Sequence, residues 1–211
     1  MSTQIFDNSS LFSGLDSTGN KELIIASNNE GKIREIRAIL DHITLLSLKE
    51  IGFEQEIAEP FYTFEENALA KASAIYKFSG KNVFADDSGL CVRALNNAPG
   101  VISAHYSGSR DDEQNLQKVL VELKDSEDRS AFYKAVICLI WEDNTYYFEG
   151  ICEGYIIEEK RGNKGFGYDP VFIPNGYDQT FGELPLEIKN KISHRGIAIR
   201  KMADFLKQQA E

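Results

Sequence analysis

Phe84-Ala85-Asp86-Asp87-Ser88-Gly89 is the stretch on which the reading of this chain turns. An apolar strand signal, Val83-Phe84-Ala85, runs straight into two adjacent carboxylates, and a serine and a glycine follow. Neighbouring carboxylates repel. They need a compensating partner, either a divalent cation or a proton held by one of them. The glycine permits a sharp backbone turn. This predicts acids exposed at a strand end, where α/β proteins bind ligands. A solvated Asp-Asp-Ser-Gly turn is the plain alternative, and the stretch alone does not choose between the two.

Upstream, Glu22 to Ala26 reads as a buried strand. Ser27-Asn28-Asn29-Glu30-Gly31-Lys32 follows, and then Ile33, Ile36, Ile39 and Leu40 recur at helical spacing. That spacing puts Arg34, Glu35 and Arg37 on the other face. Serine or asparagine in the turn can cap the helix, whose free N–H groups attract anions, and Lys32 adds positive charge. The glycine spacing is not that of a Walker A loop, and local pattern alone favours a simple capped helix start. Ile43 to Leu48 reads as a second strand. Thr63-Phe64-Glu65-Glu66 has the form of a capping box. It opens a helix through Ala68, Leu69, Ala72, Ile75 and Tyr76 that stops at Ser79-Gly80. Lys71 lies near the polar face of this helix and reads as solvated.

Downstream, Asn96 to Gly100 is a turn and Ser103 to Gly108 a polar loop. Asp111-Asp112 starts a helix whose buried side carries Leu116, Val119, Leu120 and Leu123, and both acids read as suiting its dipole. Ala131 to Trp141 and Thr145 to Cys152 are β-rich, with a hairpin at Asp143-Asn144. Gly154 to Ile157 is expected to be a third strand of this antiparallel block, a second lobe on a shared sheet. Arg161 to Pro170 is glycine-rich. Its aromatics can stack on a flat ring, or the segment is a turn with a core phenylalanine. Val171 to Pro174 resumes as a strand. Ser193, His194 and Arg195 sit just before or at the start of an amphipathic C-terminal helix marked by Ile197, Ile199, Met202, Phe205 and Leu206. Histidine and arginine there can read base carbonyls or bind phosphate, although such pairs are also common structural features.

The 211 residues suffice for one sizeable domain or two intimate lobes. Residues 1–21 are expected to be a flexible N-terminal extension and 22–211 a single domain of two lobes. The formal net charge of -10 argues against nucleic acid as a partner, since that needs clustered Lys and Arg. A small anionic substrate fits if cations converge locally or a metal intervenes. Cys91, Cys138 and Cys152 lack metal-pair spacing and read as reduced thiols of a cytoplasmic protein. No apolar run is long enough to span a membrane, and the start lacks the pattern of a signal peptide.

Taken together, these stretches resemble the ITPase family, the HAM1-like non-canonical purine nucleoside triphosphate pyrophosphatases. The resemblance runs from about Glu22 to Phe205. It rests on Ser27-x-Asn29-x-Gly31-Lys32, Thr63-Phe64-x-x-Asn67-Ala68-x-x-Lys71-Ala72 and Ala85-Asp86-Asp87-Ser88-Gly89-Leu90. Ala98-Pro99-Gly100-Val101-x-Ser103-Ala104, Gly165-Phe166-Gly167-Tyr168-Asp169-Pro170 and Ser193-His194-Arg195-Gly196 complete it in order.

The resemblance implies an α/β fold: a long mixed β-sheet flanked by helices, with two lobes around a central cleft. It implies a homodimer that hydrolyses ITP, dITP or XTP to the monophosphate and pyrophosphate with Mg²⁺. By motif, Ser27, Asn29, Lys32 and Lys71 should hold the phosphates, with Ser27 standing where threonine is common. Glu59 and Asp86 should bind Mg²⁺. Asp87 should orient and deprotonate the attacking water. Ser88 should support the phosphate or metal site. Phe166 should stack on the base, and Tyr168, Asp169, Lys189, His194 and Arg195 should line its pocket. A 6-oxo acceptor would suit donors on His194 and Arg195, whereas the amino group of adenine would not. Three rivals stand beside this reading. One is a Maf-like pyrophosphatase for modified pyrimidine triphosphates, against which the Phe166 and His194 motifs argue. Another is a nucleotide-binding module without catalysis, which the intact acids and lysines do not support. The third, a purely structural interaction protein, would leave the Asp86-Asp87 pair and the lysines unexplained.

Overall fold

The buried run Glu22–Ile25 forms strand β1. In the computed structural model, which describes residues 22–41 and 43–209, β1 lies parallel to β2 (Thr44–Ser47) on one side and to β3 (Val83–Val92) on the other. The expected N-terminal extension lies outside the described residues. β4 (Ala98–Pro99), β5 (Ser130–Trp141), β6 (Asn144–Ile156) and β7 (Phe172–Pro174) complete the sheet. Among these residues one seven-stranded mixed sheet forms, ordered β2-β1-β3-β5-β6-β7, with β4 on the edge of β3. The β5–β6 hairpin turns at Glu142 and Asp143, both at positive φ, one residue before the expected Asp143-Asn144, because Asn144 already pairs with Trp141. β6 pairs with β5 without interruption from Asn144 to Tyr155. The separate strand expected at Gly154 is therefore the end of β6.

Helices cover both faces of the sheet. α1 (Glu30–Arg37) and α5 (His194–Gln208) pack Ile33, Ile36, Ile199, Met202 and Leu206 against Leu23, Phe84, Ile137 and Leu139. On the opposite face α2 (Phe64–Ser79) packs Ala68, Ala72 and Ile75 against Ile24, Val83, Ala85 and Ile140. Strand alternation explains the division, since successive residues of β3 and β5 point to opposite faces. A third core joins α3 (Asp112–Glu122) to the far half of the sheet through Leu116, Val119, Tyr133, Phe172 and Phe181. α4 (Leu186–Ile192), which precedes α5, is a helix that the sequence pattern does not announce.

The caps form as their residue types dictate. The Asn29 side chain accepts from Lys32 N, and that of Thr63 from Glu66 N. Gly80 closes α2 in the left-handed region at φ 65°. The expected sharp turn at Gly89 is absent. β3 runs through it to Val92, paired with β5 along its length. Glycine is needed there for room: a Cβ at position 89 would lie 2.1 Å from the carbonyl oxygen of Gly100. No described helix is long and apolar enough to cross a membrane.

Candidate active site

The site is built on an interruption in the sheet. β1 pairs with β3 only as far as Phe84, and β4 takes up the same edge only at Cys91. In between, the edge groups of β3 find other partners. The carbonyl of Asp86 accepts from Lys71 Nζ at 2.9 Å and Lys32 Nζ at 3.5 Å. The amide of Leu90 donates to Ser103 Oγ at 2.9 Å. Asp86 and Asp87 stand opposite Ile137 and Val136 in mid-strand. They are buried at 1% and 4% exposure rather than displayed at a strand end.

Alternation along β3 also resolves the repulsion between them. Asp86 points toward α1 and α5, where its Oδ2 meets Lys32 Nζ at 2.8 Å and Arg195 Nε at 3.3 Å. Asp87 points toward α2, where its Oδ1 meets Lys71 Nζ at 2.9 Å. Glu59, half-exposed on the loop before α2, reaches the same ammonium at 3.2 Å. Lys71 is therefore buried and paired. Its local pattern reads as solvated because the partner that draws it inward is 16 residues away.

Behind Asp86 lies a network with one member that helical spacing misplaces. Glu35, expected on the solvent face of α1, is 1% exposed. It accepts from Lys189 Nζ at 2.6 Å and from Arg195 Nη1. A signal for this exists in the sequence: Glu35 follows Lys32 by three residues and shares its face of α1. Lys189 Nζ also reaches Asp169 Oδ2 at 2.6 Å. Arg195 Nη2 donates to Ser88 Oγ at 2.7 Å, and Ser88 donates to Asp86 Oδ2 at 3.1 Å. Three of the five guanidinium N–H groups of Arg195 are thus engaged.

Charge states follow from these pairings. Burial would raise the Asp86 carboxyl, but Lys32 and Arg195 outweigh it and hold the group ionised, far below the usual carboxylate range. For Asp87 burial wins over the pull of Lys71, and the carboxyl is pushed up to about 6. Burial lowers Lys32, against the opposing pull of Asp86. Burial also lowers Lys71, but Asp87 and Glu59 overcome it and raise the group. Burial drives His194 well below the usual imidazole range, so its ring is neutral.

These groups line a cleft of about 710 Å³. On one wall Ser27 Oγ accepts from the amide of Asn29 at 3.1 Å, and the cap places Lys32 on the first turn of α1. Phe166 adjoins this turn, its ring lying against Gly31, where a Cβ would come within 2.6 Å of it. Lys189 Nζ and Arg195 Cζ sit 5.2 Å and 5.7 Å from its centroid. Asp169 serves the loop itself, its Oδ2 accepting from Phe166 N at 2.8 Å. Gly165 leaves space for that carboxylate, since a Cβ there would stand 1.9 Å from Oδ2. The Tyr168 hydroxyl donates to Ser103 O at 2.8 Å. His194 stacks on Tyr133, 4.6 Å between centroids and 7° apart, with its buried Nδ1 unpartnered. All fourteen residues singled out from the sequence line this one cleft.

The donor set suits Mg²⁺. Asp86 Oδ1 and Asp87 Oδ2 are buried and lack hydrogen-bond partners, as few native carboxylate oxygens do without a reason. Among the described residues no three His, Cys, Asp or Glu side chains converge tightly enough to hold an ion alone. Mg²⁺ needs no such cage, because it takes one or two carboxylates and completes its shell with water and phosphate oxygens.

The class defined by fold and site is a mixed-sheet α/β protein with paired acids and cations set across an interrupted sheet edge. The chain belongs to the Ham1 family, whose model matches residues 23–205. It is 48% identical over 187 residues to the dITP/XTP pyrophosphatase of Christiangramia forsetii, covering 88% of this chain and 98% of that one. It is 48% identical over 192 residues to the enzyme of the same name from Bacillus subtilis, covering 88% and 97%. The structure of the Staphylococcus aureus Ham1 protein superposes with a TM-score of 0.81 at 41% identity, covering 90% of this chain and all of that one. A HAM1 protein from Coxiella burnetii gives 0.81 at 39% identity, covering 89% and 98%.

Proposed function

We propose that this protein hydrolyses non-canonical purine nucleoside triphosphates, namely ITP, dITP and XTP, to the monophosphate and pyrophosphate, with Mg²⁺. The observation that carries the reading is the convergence of Lys32 and Lys71 on the Asp86–Asp87 pair beside the capped start of α1. The first-turn amides of α1 and the two lysines suit a polyphosphate. Asp86 would hold Mg²⁺ together with Glu59, which stands on the Lys71 side of the acid pair; when bound, the ion supplies charge neutralisation to an acidic cleft and a polyanion. Asp87 is the general base. A carboxylate with its affinity for protons raised to about 6 takes the proton of a water more readily than an ordinary one. The water oxygen bonds to the α-phosphorus, the bridging Pα–O bond breaks, and pyrophosphate leaves with the electron pair. Phe166 stacks on the purine. Arg195 and the neutral imidazole of His194 read the 6-oxo edge.

The similarity to relatives named dITP/XTP pyrophosphatase supports the substrate class. A homodimer in the cytoplasm is part of the proposal; the dimer rests on the motif resemblance and the location on reading the three cysteines as reduced thiols. Hydrolysis of ITP in heavy-oxygen water tests the chemistry. Label in IMP is expected, and label in pyrophosphate would move the attack to the β-phosphorus and overturn the mechanism.

A further inference from the structure

Asp111 and Asp112 read from the sequence as a pair of acids serving one helix start. The structure separates them. Asp111 caps α3, its side chain accepting from Gln114 N at 2.9 Å. Asp112 reaches out of the helix, and its Oδ2 accepts the amide of Gly167 at 2.9 Å. Gly167 directly follows Phe166, whose own amide is held by Asp169. The backbone therefore has a carboxylate anchor at the ring-bearing residue and another just after it. Such anchors matter here because Gly165 and Gly167 both lie at positive φ, 76° and 60°, and glycine backbones have many alternatives when unpinned. Two further ties join the same segments. The Tyr168 hydroxyl donates to Ser103 O at 2.8 Å, and Lys160 Nζ meets Glu113 Oε2 at 2.7 Å. The chain from Ser103 to Glu113 is the frame against which the glycine-rich loop is set.

We propose that Asp112 is a positioning residue for the purine base: by fixing Gly167 it sets the ring of Phe166 in place for stacking. This rests on the reading of Phe166 as the stacking residue. The effect separates cleanly from charge. Removing an acid beside the cleft would by electrostatics favour a polyanion, whereas loosening the Phe166 loop disfavours a nucleotide. Asparagine at 112 keeps an acceptor for Gly167 N and drops the charge, while alanine drops both.

Steady-state hydrolysis of ITP by wild type, Asp112→Ala and Asp112→Asn tests this, with inorganic tripolyphosphate as a competitive inhibitor that lacks a base. Asp112→Ala should raise KM for ITP roughly three- to tenfold, the range the net contribution of one exposed hydrogen bond can support. Its kcat should stay within about twofold and its tripolyphosphate Ki should not rise, since the phosphate groups are untouched and the lost charge can only favour a polyanion. Asp112→Asn should show no rise in KM. An unchanged KM in Asp112→Ala, a parallel rise in the tripolyphosphate Ki, or an Asn variant that behaves like Ala would each overturn the proposal alone. Absence of ITP turnover in wild type would overturn the functional reading and this proposal with it.

Discussion

Asp87→Asn should make the metal-free protein more stable while abolishing its activity. Burial favours the neutral form of Asp87, raising its carboxyl from 3.8 to about 6 on folding. Such a group stabilises the fold in full below the unfolded value near 4, and that contribution is lost as pH rises through about 6. About two pH units at 1.36 kcal/mol each amounts to roughly 3 kcal/mol by pH 8. Asparagine is shaped like the protonated acid and carries no charge to lose. Lys71 keeps Glu59 at 3.2 Å and the Asp86 carbonyl at 2.9 Å in the variant. The variant should therefore exceed wild type by roughly 3 kcal/mol at pH 8, a rise in midpoint of about 6–12 °C for a chain of this size. At pH 4 the two should agree within about 0.5 kcal/mol. Urea and thermal denaturation in chelator at both pH values provide the assay. Equal stability at pH 8, or a gain independent of pH, would refute the assignment of a raised carboxyl to Asp87.

Three further outcomes are expected. Glu35→Gln removes the shared partner of Lys189 and Arg195 and should cost about 3 kcal/mol or more; a urea midpoint near that of wild type would contradict the network. Gly89→Ala drives a Cβ against the Gly100 carbonyl and should cost about 2–3 kcal/mol through overpacking, visible as a lower thermal midpoint, whereas an unchanged midpoint would mean the β3 edge yields. His194→Ala removes a base-reading group and should narrow the ITP-over-ATP ratio of kcat/KM by about tenfold; an unaltered ratio would place discrimination elsewhere.

Features that depend on near neighbours are legible in the sequence. The Thr63 cap with Glu66, the Gly80 stop, the β5–β6 hairpin and the amphipathic pattern of α5 all form where residue type and spacing put them. Features set by distant partners are not. Gly89 permits a turn or a close approach, and only the position of Gly100 decides between them. Lys71 and Glu35 are charged residues on amphipathic helices and read as solvated, yet their partners lie on β3, α4 and α5. α4 escapes notice because seven residues with three charges show little apolar periodicity. The site residues emerge from motif resemblance rather than from local pattern, which favours ordinary caps and turns for most of them. Their meeting in one cleft cannot be read from spacing, since the groups contacting Asp86 come from α1, α2 and α5.

Pyrophosphate release from ITP, dITP, XTP, ATP and GTP with Mg²⁺, measured beside the Asp87→Asn variant, tests the reaction and its base specificity together. Rapid pyrophosphate from the inosine and xanthosine nucleotides alone, lost in the variant, is expected. Release of orthophosphate instead, equal turnover of ATP, or full activity in the variant would contradict the proposed function.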